Sequence, residues 1–187
     1  MASVLLVIDI QRDYFPGGAH PLVDPDAAAA NVARLLAAFR QRSEPIIHMQ
    51  HVWDAEDAPF MRPGTDGVKF HPLAEPLPGE LVLQKSEANS FLGTGLEQEL
   101  LRLKPEHVVV AGMMSSMCVD ATVRAAADRG FDLIVAHDAC AAPDLTFAGR
   151  SLPGQDVHAA FMAALGDGYA ELRATAELER WLVSEAA

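Results

Sequence analysis

The 187-residue chain carries 26 acidic against 14 basic side chains, a formal charge of −12, which excludes the basic patch that a nucleic-acid or anionic-membrane surface requires. Half of its residues are hydrophobic, so one well-buried domain spanning 1–187 and acting on a small molecule is expected. Its two cysteines are too few for a disulfide framework or a Cys-rich zinc site and fit a reducing cytoplasm.

The opening MASVLLVID has no basic stretch, and its apolar run stops at Asp9, so neither a signal peptide nor a membrane span is expected. Val4 to Ile8 instead reads as a buried strand that delivers a carboxylate, Asp9, to its C-terminal end. After the polar Gln11-Arg12-Asp13 and the loop Tyr14-Phe15-Pro16-Gly17-Gly18, Pro25 stands just inside a helix start. Val32, Leu35, Leu36 and Phe39 make its apolar stripe, and the helix runs between Asp24 and Arg42.

Pro45 to Met49 is a second strand, and Leu81 to Leu83 a third that ends at Gln84-Lys85. Between them, Trp53 to Gly79 holds five prolines and three glycines, which rules out a long helix or strand. Irregular segments of that length are uncommon unless functional, so Trp53, Phe60, Met61 and Phe70 are candidates for a pocket wall. Arg62 and Lys69 are candidates to meet a carboxylate on the substrate.

Gly95 to Leu103 reads as a helix ended by Pro105. The stretch Val108 to Gly130 then draws a strand, a break at Gly112, a tight turn with Ser115 and Ser116, Cys118, and a helix with Val119, Thr122, Val123 and Ala126 on one stripe. Gly130 stops it. A thiol in the first helical turn faces unpaired N–H groups and the positive end of the helix dipole, so Cys118 is expected to favour the thiolate.

Phe131 to Ala136 is a fifth strand ending at His137-Asp138, and Cys140 beyond it reads as buried packing. A helical stripe follows through Val157, Ala160, Phe161, Ala164 and Leu165. Tyr169 to Leu172 is a sixth strand, and Glu177 to Val183 a closing helix. The alternation predicts an α/β fold with a mostly parallel sheet covered on both faces. In such sheets ligands bind outside the carboxyl ends of the strands, which is where Asp9, Lys85 and Cys118 all fall. A carboxylate that takes a proton, a cation that steadies an anion and a thiol that attacks form a coherent catalytic set.

Five blocks of the chain resemble the isochorismatase-like cysteine hydrolases, a family that includes nicotinamidases and several amide and ureide hydrolases. They are LLVIDIQRDYF, LQKSEANSFLGTGLEQEL, VVVAGMMSSMCVDATVRAAADRG, HDACAA and VHAAF, in the family's order. The resemblance implies a three-layer α/β/α fold with a six-stranded parallel sheet of order 3-2-1-4-5-6. It implies a catalytic triad of Asp9, Lys85 and Cys118, and a cis peptide at Met113–Met114 that turns the Met114 and Cys118 N–H groups into an oxyanion hole. It further implies a substrate contact at Phe15, a homo-oligomer (dimer or tetramer) touching through the proline-rich loop, and cleavage of an amide or ureide C–N bond through a thioester; Trp53 of that loop and Phe91 of the middle block are the other substrate-binding candidates.

Nicotinamidases of this family hold a metal with an Asp-x-His motif after the second strand. Here the stretch is His48-Met49-Gln50-His51, without that aspartate, so no metal and no other cofactor is expected even with His71 nearby. Two other readings stay open. One is an isochorismatase-type enzyme, which opens a vinyl ether without a thiol. The other is a non-catalytic or redox protein in which Cys140 resolves an oxidised Cys118.

Overall fold

In a computed structural model, which describes residues 3–184, the chain runs β1 (Ser3–Ile8), α1 (Pro25–Arg42), β2 (Ile46–His51), β3 (Leu81–Lys85), α2 (Leu96–Leu103), β4 (His107–Met113), α3 (Asp120–Asp128), β5 (Leu133–Ala141), β6 (Leu145–Phe147), β7 (Arg150–Leu152), α4 (Gly154–Gly166), β8 (Glu171–Arg173) and α5 (Thr175–Ser184). Met1 and Ala2 of the N-terminal reading lie outside the described residues. Among those described, no helix is long and apolar enough to cross a membrane.

Six strands form one sheet in the order β3-β2-β1-β4-β5-β8, and every neighbouring pair is parallel. This is the expected order, with β8 as the sixth sheet strand. Side chains on a strand alternate between faces, and the cores follow that period. Leu5 and Val7 of β1 join Val109 and Ala111 of β4 against Val32, Leu35, Leu36 and Phe39 of α1 and Leu178 and Leu182 of α5. Val4, Leu6 and Ile8 join Val108 and Val110 against Leu96 and Leu100 of α2, Val123 and Ala126 of α3 and Leu165 of α4. The strands are therefore buried on both faces, which is why they read as unbroken apolar runs.

Strand order reverses between β1 and β4, so the carboxyl ends of those two strands open a crevice. Gly112 sits there, opposite Ile8, with a φ of +145°. A Cβ at this position would run into the Ile8 backbone, so only glycine lets β4 pass so close to β1.

Several elements differ from the sequence reading, among them the last sheet strand, which is Glu171–Arg173 rather than Tyr169–Leu172. β2 extends past Met49 to His51, and β5 extends past Ala136 to Ala141 because Cys140 and Ala141 pair with Gly112 and Met113 beyond a register shift. The antiparallel hairpin β6–β7 was not expected; its residues are largely exposed, Phe147 at 76%, and carry no buried-strand pattern.

The long segment 53–79 has a single turn of 3-10 helix, Pro72–Ala74, and otherwise follows an irregular path fixed from a distance. Gln11 Nε2 donates to Val68 O, Arg12 pairs with Asp66 at 2.9 Å, and Asp13 Oδ2 accepts from Met61 N at 2.6 Å. Met61 is fully buried in the α1-side core, Phe70 packs edge-on to His48, and Lys69 is paired with Asp66.

Candidate active site

Asp9 ends β1 in the left-handed region, at φ +52°, a conformation that aspartate tolerates better than most residues. The chain turns there while Asp9 N still donates to Met49 O, and the carboxylate comes to rest fully buried. Lys85 ends β3, two strands away. Its Cα pairs in register with His51 of β2, so both side chains leave the same face, and the lysine stem is long enough to reach past His51 toward β1. Cys118 stands in a π-helical turn, Ser115–Val119, between β4 and α3, and the Met113–Met114 peptide just before it is cis.

These three chain-distant groups meet. Lys85 Nζ lies 2.7 Å from Asp9 Oδ2 and 3.3 Å from Cys118 Sγ, and it also donates to His51 Nδ1 and Glu87 O at 3.0 Å each. One donor atom each of Asp9, His51 and Cys118 lie within 4.8 Å of one another. Asp9 Oδ1 is buried and takes no hydrogen bond from the described residues.

Burial works against the charge on Lys85, but Asp9 and then Cys118 outweigh it, and the ammonium is held above its ordinary range. Burial, with Asp9 second, pushes the Cys118 thiol up to about 12. That corrects the expectation of a standing thiolate. Cys118 is 2% exposed, lies before the first residue of α3 and neighbours a carboxylate, so desolvation outweighs the helix dipole. Cys140 is also pushed up to about 12 by burial, and its Sγ donates to Ala136 O.

The residues expected to line a pocket divide. Trp53 is 38% exposed and lies edge-on to His51, 6.2 Å between ring centroids, and also edge-on to Phe60. Phe15 is nearly buried and stacks on His71 at 3.9 Å, facing a depression of about 440 Å³ that Arg12 and Asp66 also border. Phe91 packs in the core on the α3 side of the sheet. Its ring lies 4.5 Å below the Arg129 guanidinium and stacks with Phe131, both beyond the C-terminal end of α3. That guanidinium reaches back along the helix to donate to Ala125 O, and Phe91 is buried in the same core as Cys118.

The three histidines of the sequence reading are engaged separately. His48 bonds Glu80 at 2.8 Å on the α1 side of the sheet, His71 accepts from Leu73 N beneath Phe15, and His51 points to Lys85. The one described trio of close donors, Asp9, His51 and Cys118, already surrounds a cation of the chain itself. Two residues that the sequence reading passed over shape this end of the sheet. The Gln11 amide bonds both His51 O and His51 N, each at 2.8 Å, and Asp13 anchors the long segment at Met61 N. Their signal was visible only as polar residues placed directly after a buried strand.

The family model of the isochorismatase domain matches residues 3–176. The chain belongs to the isochorismatase family of hydrolases. It is 45% identical over 175 residues to the isochorismatase family protein YddQ of Bacillus subtilis (strain 168), covering 94% of this chain and 97% of that one. It is 33% identical over 153 residues to the maleamate amidohydrolase of Pseudomonas putida, covering 72% of this chain and 70% of the relative. A crystal structure from Oleispira antarctica, described as an isochorismatase hydrolase, superposes with a TM-score of 0.92 at 44% identity, with 96% of each chain covered.

Proposed function

We propose that this protein is a cysteine hydrolase that cleaves an amide or ureide-type C–N bond of a small molecule through a thioester on Cys118. The observation that carries the reading is the Lys85 ammonium held between the Asp9 carboxylate and the Cys118 sulfur in a buried crevice. The name of the maleamate amidohydrolase relative supports the bond type.

In this scheme Asp9 accepts the thiol proton as Sγ attacks the carbonyl carbon, so the nucleophile is made at the moment of use. That fits a thiol pushed up to about 12, which is almost wholly protonated near neutral pH. Lys85 steadies the sulfur as it gains negative charge. The backbone N–H groups of Met114 and Cys118 hold the oxyanion of the tetrahedral intermediate. Protonated Asp9 then returns its proton to the departing nitrogen as the C–N bond breaks, leaving an acyl thioester. Water, deprotonated by Asp9, cleaves that thioester, and the thiol regains its proton. Trp53 and Phe15 are proposed as apolar contacts for the substrate.

A peroxide-sensing dithiol fits less well, because such a sensor needs a low-pKa, accessible thiol and both cysteines are buried and pushed up to about 12. The test is release of ammonia or amine from a panel of small amides and ureides. The native protein is expected to release it from at least one member. No release from any member by correctly folded protein would count against the reading.

A further inference from the structure

We infer that His51 is the positioning residue of the Asp9–Lys85–Cys118 set, accepting one N–H hydrogen bond of the Lys85 ammonium and so, together with Glu87 O, orienting it toward the carboxylate and the sulfur. Its meaning for turnover rests on the hydrolase reading above; its geometry does not.

A lysine ammonium is a rotatable point charge on a flexible stem, and one carboxylate fixes one of its three N–H bonds. Here Nζ has four acceptors within reach: Asp9 Oδ2 at 2.7 Å, His51 Nδ1 and Glu87 O at 3.0 Å each, and Cys118 Sγ at 3.3 Å. An ammonium only donates, so His51 Nδ1 is the acceptor of that bond. The imidazole is itself held. Its backbone N–H and C=O are both bonded by the Gln11 amide, the edge of Trp53 packs against its ring, and its Cα is the register partner of Lys85.

The groups facing His51 are Lys85, Asp9, Glu87 and Cys118. Burial first, and then the Lys85 charge, lower its affinity for a proton, and the carboxylates oppose this less strongly. His51 therefore stays neutral and accepting near neutral pH. Removing the acceptor frees the ammonium to turn from the sulfur, and the forming thiolate loses its charge-assisted bond.

The experiment compares His51→Leu, which removes the acceptor, with His51→Asn, whose Oδ1 stands where Nδ1 does and accepts without titrating. The first readout is the rate of Cys118 alkylation by iodoacetamide at pH 8, followed on the peptide by mass spectrometry. The second is kcat and KM on whichever amide of the panel the native protein cleaves. His51→Leu is expected to lower the alkylation rate and kcat by roughly 10- to 100-fold with KM little changed, and His51→Asn to restore both to within about threefold of native. His51→Ala replaces the leucine variant if that does not fold, as judged by its thermal midpoint.

Native-like rates in the leucine or alanine variant overturn the inference, as does a folded asparagine variant as slow as leucine. Failure of the native protein to cleave any amide would remove the hydrolase reading and leave the alkylation contrast standing. Equal alkylation in all variants beside intact hydrolysis would remove only the role of His51.

Discussion

Replacing Cys118 by alanine is expected to abolish hydrolysis, by about 10³-fold or more in kcat, while leaving the fold in place at a cost of roughly 1 kcal/mol. Sγ is the sulfur that Lys85 Nζ contacts beside Asp9, and in the proposed scheme it is the atom that forms the thioester. The loss should fall on kcat, because the sulfur does its work after the substrate has bound. The native thiol should also show its resting state directly. With Cys118 pushed up to about 12, the thiolate fraction grows about tenfold per pH unit below that value, so alkylation should be slow at pH 7 and climb steadily through pH 10. A rate that levels off near pH 7 would mean a standing thiolate, and Asp9 would then have no proton to take.

The second large effect is expected at the ion pair. Asp9 and Lys85 have fully buried side chains 2.7 Å apart, and charges so placed are tolerated only together. Asp9→Asn is expected to destabilise the protein by about 3–5 kcal/mol, because it leaves the ammonium without a counter-charge. It should also lower kcat by about 10²- to 10⁴-fold through loss of the proton acceptor. Replacing both partners with apolar residues, Asp9→Leu with Lys85→Met, should recover much of that stability with no recovery of activity.

Urea denaturation separates the two consequences, and a double variant no more stable than Asp9→Asn would show that the pair is not the cause. The pH dependence has a definite sign. The folded-state value of Lys85 is raised above the ordinary 10.5, so stability from the charged lysine is fully present below that value and is lost only as pH rises through the raised one. Neutral and mildly alkaline solutions should leave the pair intact.

Much of this was legible in the chain because of what burial on both faces does to a strand. Val4–Ile8 and Val108–Val110 have no polar face to show, so their length and their sudden ends at Asp9 and Gly112 stand out. β6 and β7 are three residues each, exposed, and paired only with each other, so no local pattern marks them.

The site was legible at Asp9, Lys85 and Cys118, each next to a strand end and inside a block that resembles the family. His51 escaped as a partner of Lys85 because their closeness comes from register between two strands, and register is not written locally in either. The protonation of Cys118 escaped for the same reason. A helix start can be read in the sequence, whereas the burial that outweighs it is built by segments far away.

The most direct measurement is how the acyl group partitions when hydroxylamine competes with water, using several substrates that share one acyl group and differ in the leaving amine. An acyl thioester on Cys118 is common to all of them, so the ratio of hydroxamate to acid should be the same for every leaving amine. A ratio that changes with the leaving group would show that the acyl carbon meets its acceptor before the amine has gone, and the thioester route would be wrong.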